Sequence, residues 1–150
     1  KSLSMPGERI GYVCIPDTVT DSALLFAAVA GASRACGHVC APSMMQLVIA
    51  RAAALRPDLA AYDQNRSLLY NALTEMGYDC VKPQGAFYMM VKAPNGDSRA
   101  FSELAKRENL LIVPADTFGC PGFCRVSTCV DPDMIRRSLP AFKKVIEEMR

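Results

Sequence analysis

From Leu59 to Met76 the apolar residues of this chain recur at helical spacing. Past Gly77 that rhythm gives way to short β-branched and aromatic runs closed by glycine or proline. Helical and strand periodicities place side chains differently, so one stretch cannot satisfy both. The change of rhythm therefore sets the fold class as α/β, with helices packed on a small sheet. In the second half the expected strands are Ala86 to Lys92, Leu110 to Pro114 and Phe123 to Val130. The turn Pro94-Asn95-Gly96, a helix from Ser98 to about Glu108 and the turn material Gly119 to Gly122 separate them. Asp131 is placed to cap a final helix with Pro132 at its first position and Ile135, Leu139, Phe142 and Ile146 inward. Pro140 falls inside that helix and should bend it near Arg136.

Upstream, Arg9 to Ile15 reads as a strand between Gly7 and Pro16. Thr20 or Asp21 can cap a helix that stops near Gly37, with Leu24, Leu25, Ala28 and Val29 apolar. A second helix should run from Ser43 to about Leu55 with Met44, Leu47, Val48 and Ala52 on one face. Pro57 opens the third, whose stripe is Leu59, Tyr62, Leu69, Leu73 and Met76, ended by Gly77. One strand and one helix are too little to fold alone, so the expected division is residues 1–35 as a remnant and residues 36–150 as a domain.

Hydrophobic residues at 51%, charged residues at 21% and a net charge of +2 describe an ordinary globular composition. The charges are interspersed, which gives no electrostatic reason to expect nucleic acid or a membrane surface as partner. The longest apolar run, Ala23 to Gly31, is far too short to span a bilayer. The first residue is Lys and no signal peptide is visible, so a piece of a longer protein is expected. Seven cysteines without a zinc-ribbon pair, and His38 as the lone histidine, argue for reduced thiols in a cytoplasmic protein rather than a metal site or disulfide framework.

Three residues stand out chemically. Lys1 carries the one side chain able to form a Schiff base, and only when unprotonated; it also reads as a solvated surface lysine. Arg9 follows a turn containing Pro6 and Gly7, where a guanidinium can hold a phosphate in two parallel hydrogen bonds; a surface arginine at a strand start is the alternative. Arg125 lies in an apolar strand, on the face shared with Phe123 and Ser127. A half-buried charge there needs a partner: a ligand carboxylate, or an internal acid such as Asp116.

Four segments occur in a telling order. The opening has Lys1, Gly7, Arg9, Gly11 and Tyr12; Val39 to Pro42 is followed by Gln46; Pro83, Gly85, Ala86, Phe87 and Tyr88 form a third; Val113-Pro114, Phe118-Gly119 and Phe123 to Ser127 form the last. Together they resemble the fold-type I, pyridoxal-phosphate-dependent aminotransferases of class I and II, the aspartate aminotransferase family. Cys40 stands where many relatives have asparagine, and Ala115 where many have glycine.

The resemblance implies that Lys1 binds the pyridoxal phosphate aldehyde and shuttles the α-proton, that Arg9 takes the cofactor phosphate, and that Arg125 takes the substrate α-carboxylate. It implies that residues 1–35 remain from the large cofactor domain and residues 36–150 are the small C-terminal domain. The parent would be a cytoplasmic homodimer moving an amino group from an L-amino acid to a 2-oxo acid. The family's aspartate at the pyridine nitrogen, stacking aromatic residue, phenol-facing tyrosine and phosphate loop have no counterpart here. The isolated chain is thus expected to be inactive and to hold the cofactor weakly. Two alternatives are a cystathionine-type C–S lyase on the same scaffold and a non-catalytic ligand-binding or structural domain.

Overall fold

The computed structural model describes residues 1–150, in two compact units, Lys1–Pro57 and Asp58–Arg150. The first holds a 3-10 turn at Pro6–Glu8 and helices α1 (Ser22–Ala35) and α2 (Ser43–Ala52). The strand expected from Arg9 to Ile15 is absent. Arg9 adopts a left-handed φ of 53°, and the unit contains no strand to complete a ladder. Asp21 precedes α1 but its side chain caps nothing, and α1 buries no residue. In α2 the buried residue is Met45, while Met44 and Leu47, expected inward, are exposed. Periodicity gave the helix correctly but the wrong face, because Met44-Met45 and Leu47-Val48-Ile49 make nearly all sides apolar.

The second unit follows the expected plan closely. Helix α3 (Leu59–Glu75) begins where the Asp58 carboxylate accepts from the Ala61 N–H at 3.0 Å. It ends at Gly77, whose φ of +92° lets the Tyr78 N–H return to the Leu73 carbonyl at 3.0 Å. Strand β1 (Tyr88–Lys92), helix α4 (Ser98–Arg107), β2 (Val113–Pro114), β3 (Phe123–Ser127) and α5 (Pro132–Met149) follow. The Asp97 carboxylate caps α4 and that of Asp131 caps α5. Helix α5 runs unbroken through Pro140.

The sheet is antiparallel throughout, in the order β1-β3-β2. Each strand is shorter than its apolar run. Ala86 takes a left-handed φ of 57° before β1, and past Ser127 the Thr128 N–H still reaches the Phe87 carbonyl at 2.8 Å. Pairing Met89 with Val126 and Val91 with Cys124 puts all four side chains on the helix-covered face. There they join Leu69, Leu73, Phe101, Ile135, Phe142 and Ile146 in one core. Asn65 crosses from α3 to the end of β3, donating through Nδ2 to the Thr128 carbonyl at 3.1 Å and the Val130 carbonyl at 2.8 Å. No helix is long and apolar enough to cross a membrane.

Candidate functional site

Lys1 and Arg9 belong to the first unit and Arg125 to the second, so each group is described within its own unit. Lys1 is exposed and lines a cleft of about 440 Å³ with Ser2, Glu8, Gly11 and Tyr12 from the opening segment and Met45 and Ile49 from α2. The volume suits a small organic ligand. Arg9 is not part of that lining. Its Nη1 donates to the Pro6 carbonyl at 3.4 Å and it forms no ion pair, so its remaining donors are free.

Arg125 sits at the middle of the central strand, where cross-strand partners flank it on both sides: Met90 on β1 and Val113 on β2. Alternation along β3 buries Cys124 and Val126 and turns Arg125 to the opposite, more open face with Phe123 and Ser127. Its guanidinium carbon lies 4.3 Å from the ring centre of Tyr88 and 4.3 Å from that of Phe118. Both rings lie within cation–π distance of the cation. Behind Tyr88 stands Phe87, with centroids 4.6 Å apart, and Tyr62 of α3 lies 6.4 Å from Phe87. Arg66 braces the same corner by donating through Nη1 to the Ala86 carbonyl at 2.8 Å.

The internal salt bridge considered between Arg125 and Asp116 does not form. The Asp116 carboxylate instead accepts a short hydrogen bond from the Ser98 hydroxyl, and no acid lies within ion-pairing distance of Arg125. Two aromatic rings approach its guanidinium carbon, while its N–H groups have no protein partner. That arrangement is able to receive a planar anion.

Sequence reasoning placed Arg125 on the correct face but gave no role to Tyr88 or Phe118. The contact with Tyr88 depends on the β1–β3 register, and that with Phe118 on the 3-10 turn Asp116–Phe118. Neither is encoded by local periodicity. The thiols nearby are held neutral. Burial, with Asp116 adding to it, pushes Cys124 up to about 11, and burial with Asp79 does the same to Cys80. Neither is a thiolate nucleophile near neutral pH. All seven cysteines are free, and no group of three His, Cys, Asp or Glu side chains converges on a metal position.

The family model for aminotransferase class I and II matches residues 1–142. An aminotransferase crystal structure from Eubacterium rectale is 57% identical, with a TM-score of 0.82 over 100% of this chain and 38% of that one. Aromatic-amino-acid aminotransferase 2 of Thermococcus litoralis is 27% identical and aspartate aminotransferase of Pyrococcus abyssi 28%. Each alignment covers 100% of this chain and 40% of the relative. The chain thus spans about two fifths of the length of the curated relatives it matches.

Proposed function

This chain belongs to the aminotransferase class I and II family, and from that premise we propose that it is part of an enzyme moving an amino group from an L-amino acid to a 2-oxo acid. Residues 1–35 would come from the large cofactor domain and residues 36–150 from the small one. The observation that carries the reading is Arg125, a guanidinium with its donor edge free and no acid beside it. A substrate α-carboxylate has the matching geometry, and a bidentate pair fixes the orientation of the whole substrate.

The donor chemistry of the opening segment fits pyridoxal phosphate. A primary amine beside a cleft of about 440 Å³ suits the aldehyde, and an arginine free of ion pairs suits the phosphate. When bound, the cofactor supplies the electron sink that lets a proton leave the substrate α-carbon. Lys1 Nζ would anchor the cofactor and then accept and return that proton. Arg9 would hold the phosphate through its guanidinium, and Arg125 would hold the substrate carboxylate. We take the parent to be a cytoplasmic homodimer.

The test uses the intact enzyme in single-turnover transamination, with an amino acid and with the amine that lacks its carboxylate. Arg125→Ala leaves a carboxylate unpaired, at a cost of about 2–5 kcal/mol, so the amino acid should slow by roughly 30-fold or more. The amine should be unaffected. Equal slowing of both substrates would remove the carboxylate role.

A further inference from the structure

We propose that Tyr88 and Phe118 are positioning residues that hold the Arg125 guanidinium in one plane, taking the place of the acidic partner that such an arginine ordinarily has. The inference rests on the carboxylate reading of Arg125 and adds what fixes the arginine's orientation. An arginine side chain has several rotatable bonds, and ordering it costs entropy that a ligand must otherwise supply. Three elements remove that freedom here: β3 carries the arginine, β1 brings Tyr88, and the turn Asp116–Phe118 brings Phe118. Both ring centres lie 4.3 Å from the guanidinium carbon.

A carboxylate clamp would immobilise the arginine as well, but it would also consume the N–H donors and neutralise the charge. A ring stacked on a guanidinium contacts only its face. A guanidinium donates in its plane and is poorly hydrated on its faces, so stacking leaves all its in-plane donors available. The positive charge stays uncompensated until an anion arrives. The supports of the two rings are themselves anchored. Phe87 packs against Tyr88 and Tyr62 against Phe87, while the Asp116 carboxylate is tied to Ser98 and Gly119 closes the turn with a φ of +78°.

Tyr88 and Phe118 are 38% and 53% exposed, so leucine at either position leaves the core intact. In the intact enzyme, Tyr88→Leu and Phe118→Leu should each raise KM for an L-amino acid about three- to tenfold, with kcat little changed. The decarboxylated amine should be turned over as before, and Tyr88→Phe, which keeps the ring, should behave as wild type. Lysine has no planar faces to stack, so adding Phe118→Leu to Arg125→Lys should cause a smaller loss than in the arginine enzyme. If the leucine variants leave the preference for amino acid over amine unchanged while Arg125→Ala abolishes it, the clamp is overturned and the carboxylate role stands. If Arg125→Ala also leaves that preference unchanged, both fall together. A full Phe118→Leu effect in the Arg125→Lys background would likewise overturn the clamp.

Discussion

Asn65 is the polar residue on which the end of β3 depends. It is 7% exposed, and its amide donates to two carbonyls in the segment that follows Arg125's strand. Asn65→Ala removes both bonds, each contributing about 1 kcal/mol net. Thr128 is fully buried, so its carbonyl then pays a desolvation penalty of about 1–3 kcal/mol, whereas half-buried Val130 can recruit water. The expected loss is about 2–4 kcal/mol. With a urea dependence of about 1.5 kcal/mol per molar, the unfolding midpoint should fall by roughly 1.5–2.5 M. Asn65→Asp keeps the shape but turns a donor into an acceptor facing two carbonyl oxygens. Its carboxyl should be pushed above the usual value of about 3.9, because the charged form is disfavoured. The variant should therefore be nearly tolerated below pH 4 and lose stability as pH rises through its folded pKa. Urea titration by circular dichroism at pH 4 and pH 7 reads both effects. A cost below about 1 kcal/mol for alanine, or an aspartate variant no worse at pH 7 than at pH 4, would refute the bonding role.

Three further outcomes are expected. Gly77→Ala forces a side chain into φ +92° and puts its Cβ against Arg150 Nη2, which now donates to the Met76 carbonyl at 3.2 Å; thermal melting should show a loss of about 1–2 kcal/mol. The folded chain keeps the Cys124 and Cys80 protons up to about pH 11 while the unfolded chain releases them near 9. Stability should therefore be level below pH 9 and decline as pH rises from 9 to 11, with a shallower decline in Cys124→Ala melts. Helix α1 buries nothing, and Leu24, Phe26, Met44 and Leu47 are each at least 65% exposed, so the isolated chain should self-associate; sedimentation velocity should show mass rising with concentration, and a strict monomer would contradict this.

How far the sequence is legible differs between the units. In Asp58–Arg150 the cap Asp131, the stop at Gly77 and the inward Leu69, Leu73, Phe142 and Ile146 are local signals, and the fold obeys them. In Lys1–Pro57 the expected strand and helix faces fail, because partners for those apolar surfaces are not within the unit and periodicity alone cannot choose among several apolar sides. Arg125 was legible as a half-buried charge. Its aromatic neighbours were not, since Tyr88 and Phe118 meet it only through strand register and a turn far apart in the chain.

The alternation along β3 also has a consequence for tolerance to insertion and deletion. Sliding β3 one residue against β1 would swap its two faces, driving Arg125 into the core and expelling Cys124 and Val126 into water. Burying an unpaired guanidinium costs several kcal/mol, a large share of a domain's net stability. The packed side of the sheet thus proofreads the open side: a frame error that would misplace Arg125 destroys the fold first. Length changes should be confined to the connections around Pro94–Gly96 and Gly119–Gly122, and misaligned but folded versions of this site should not be found.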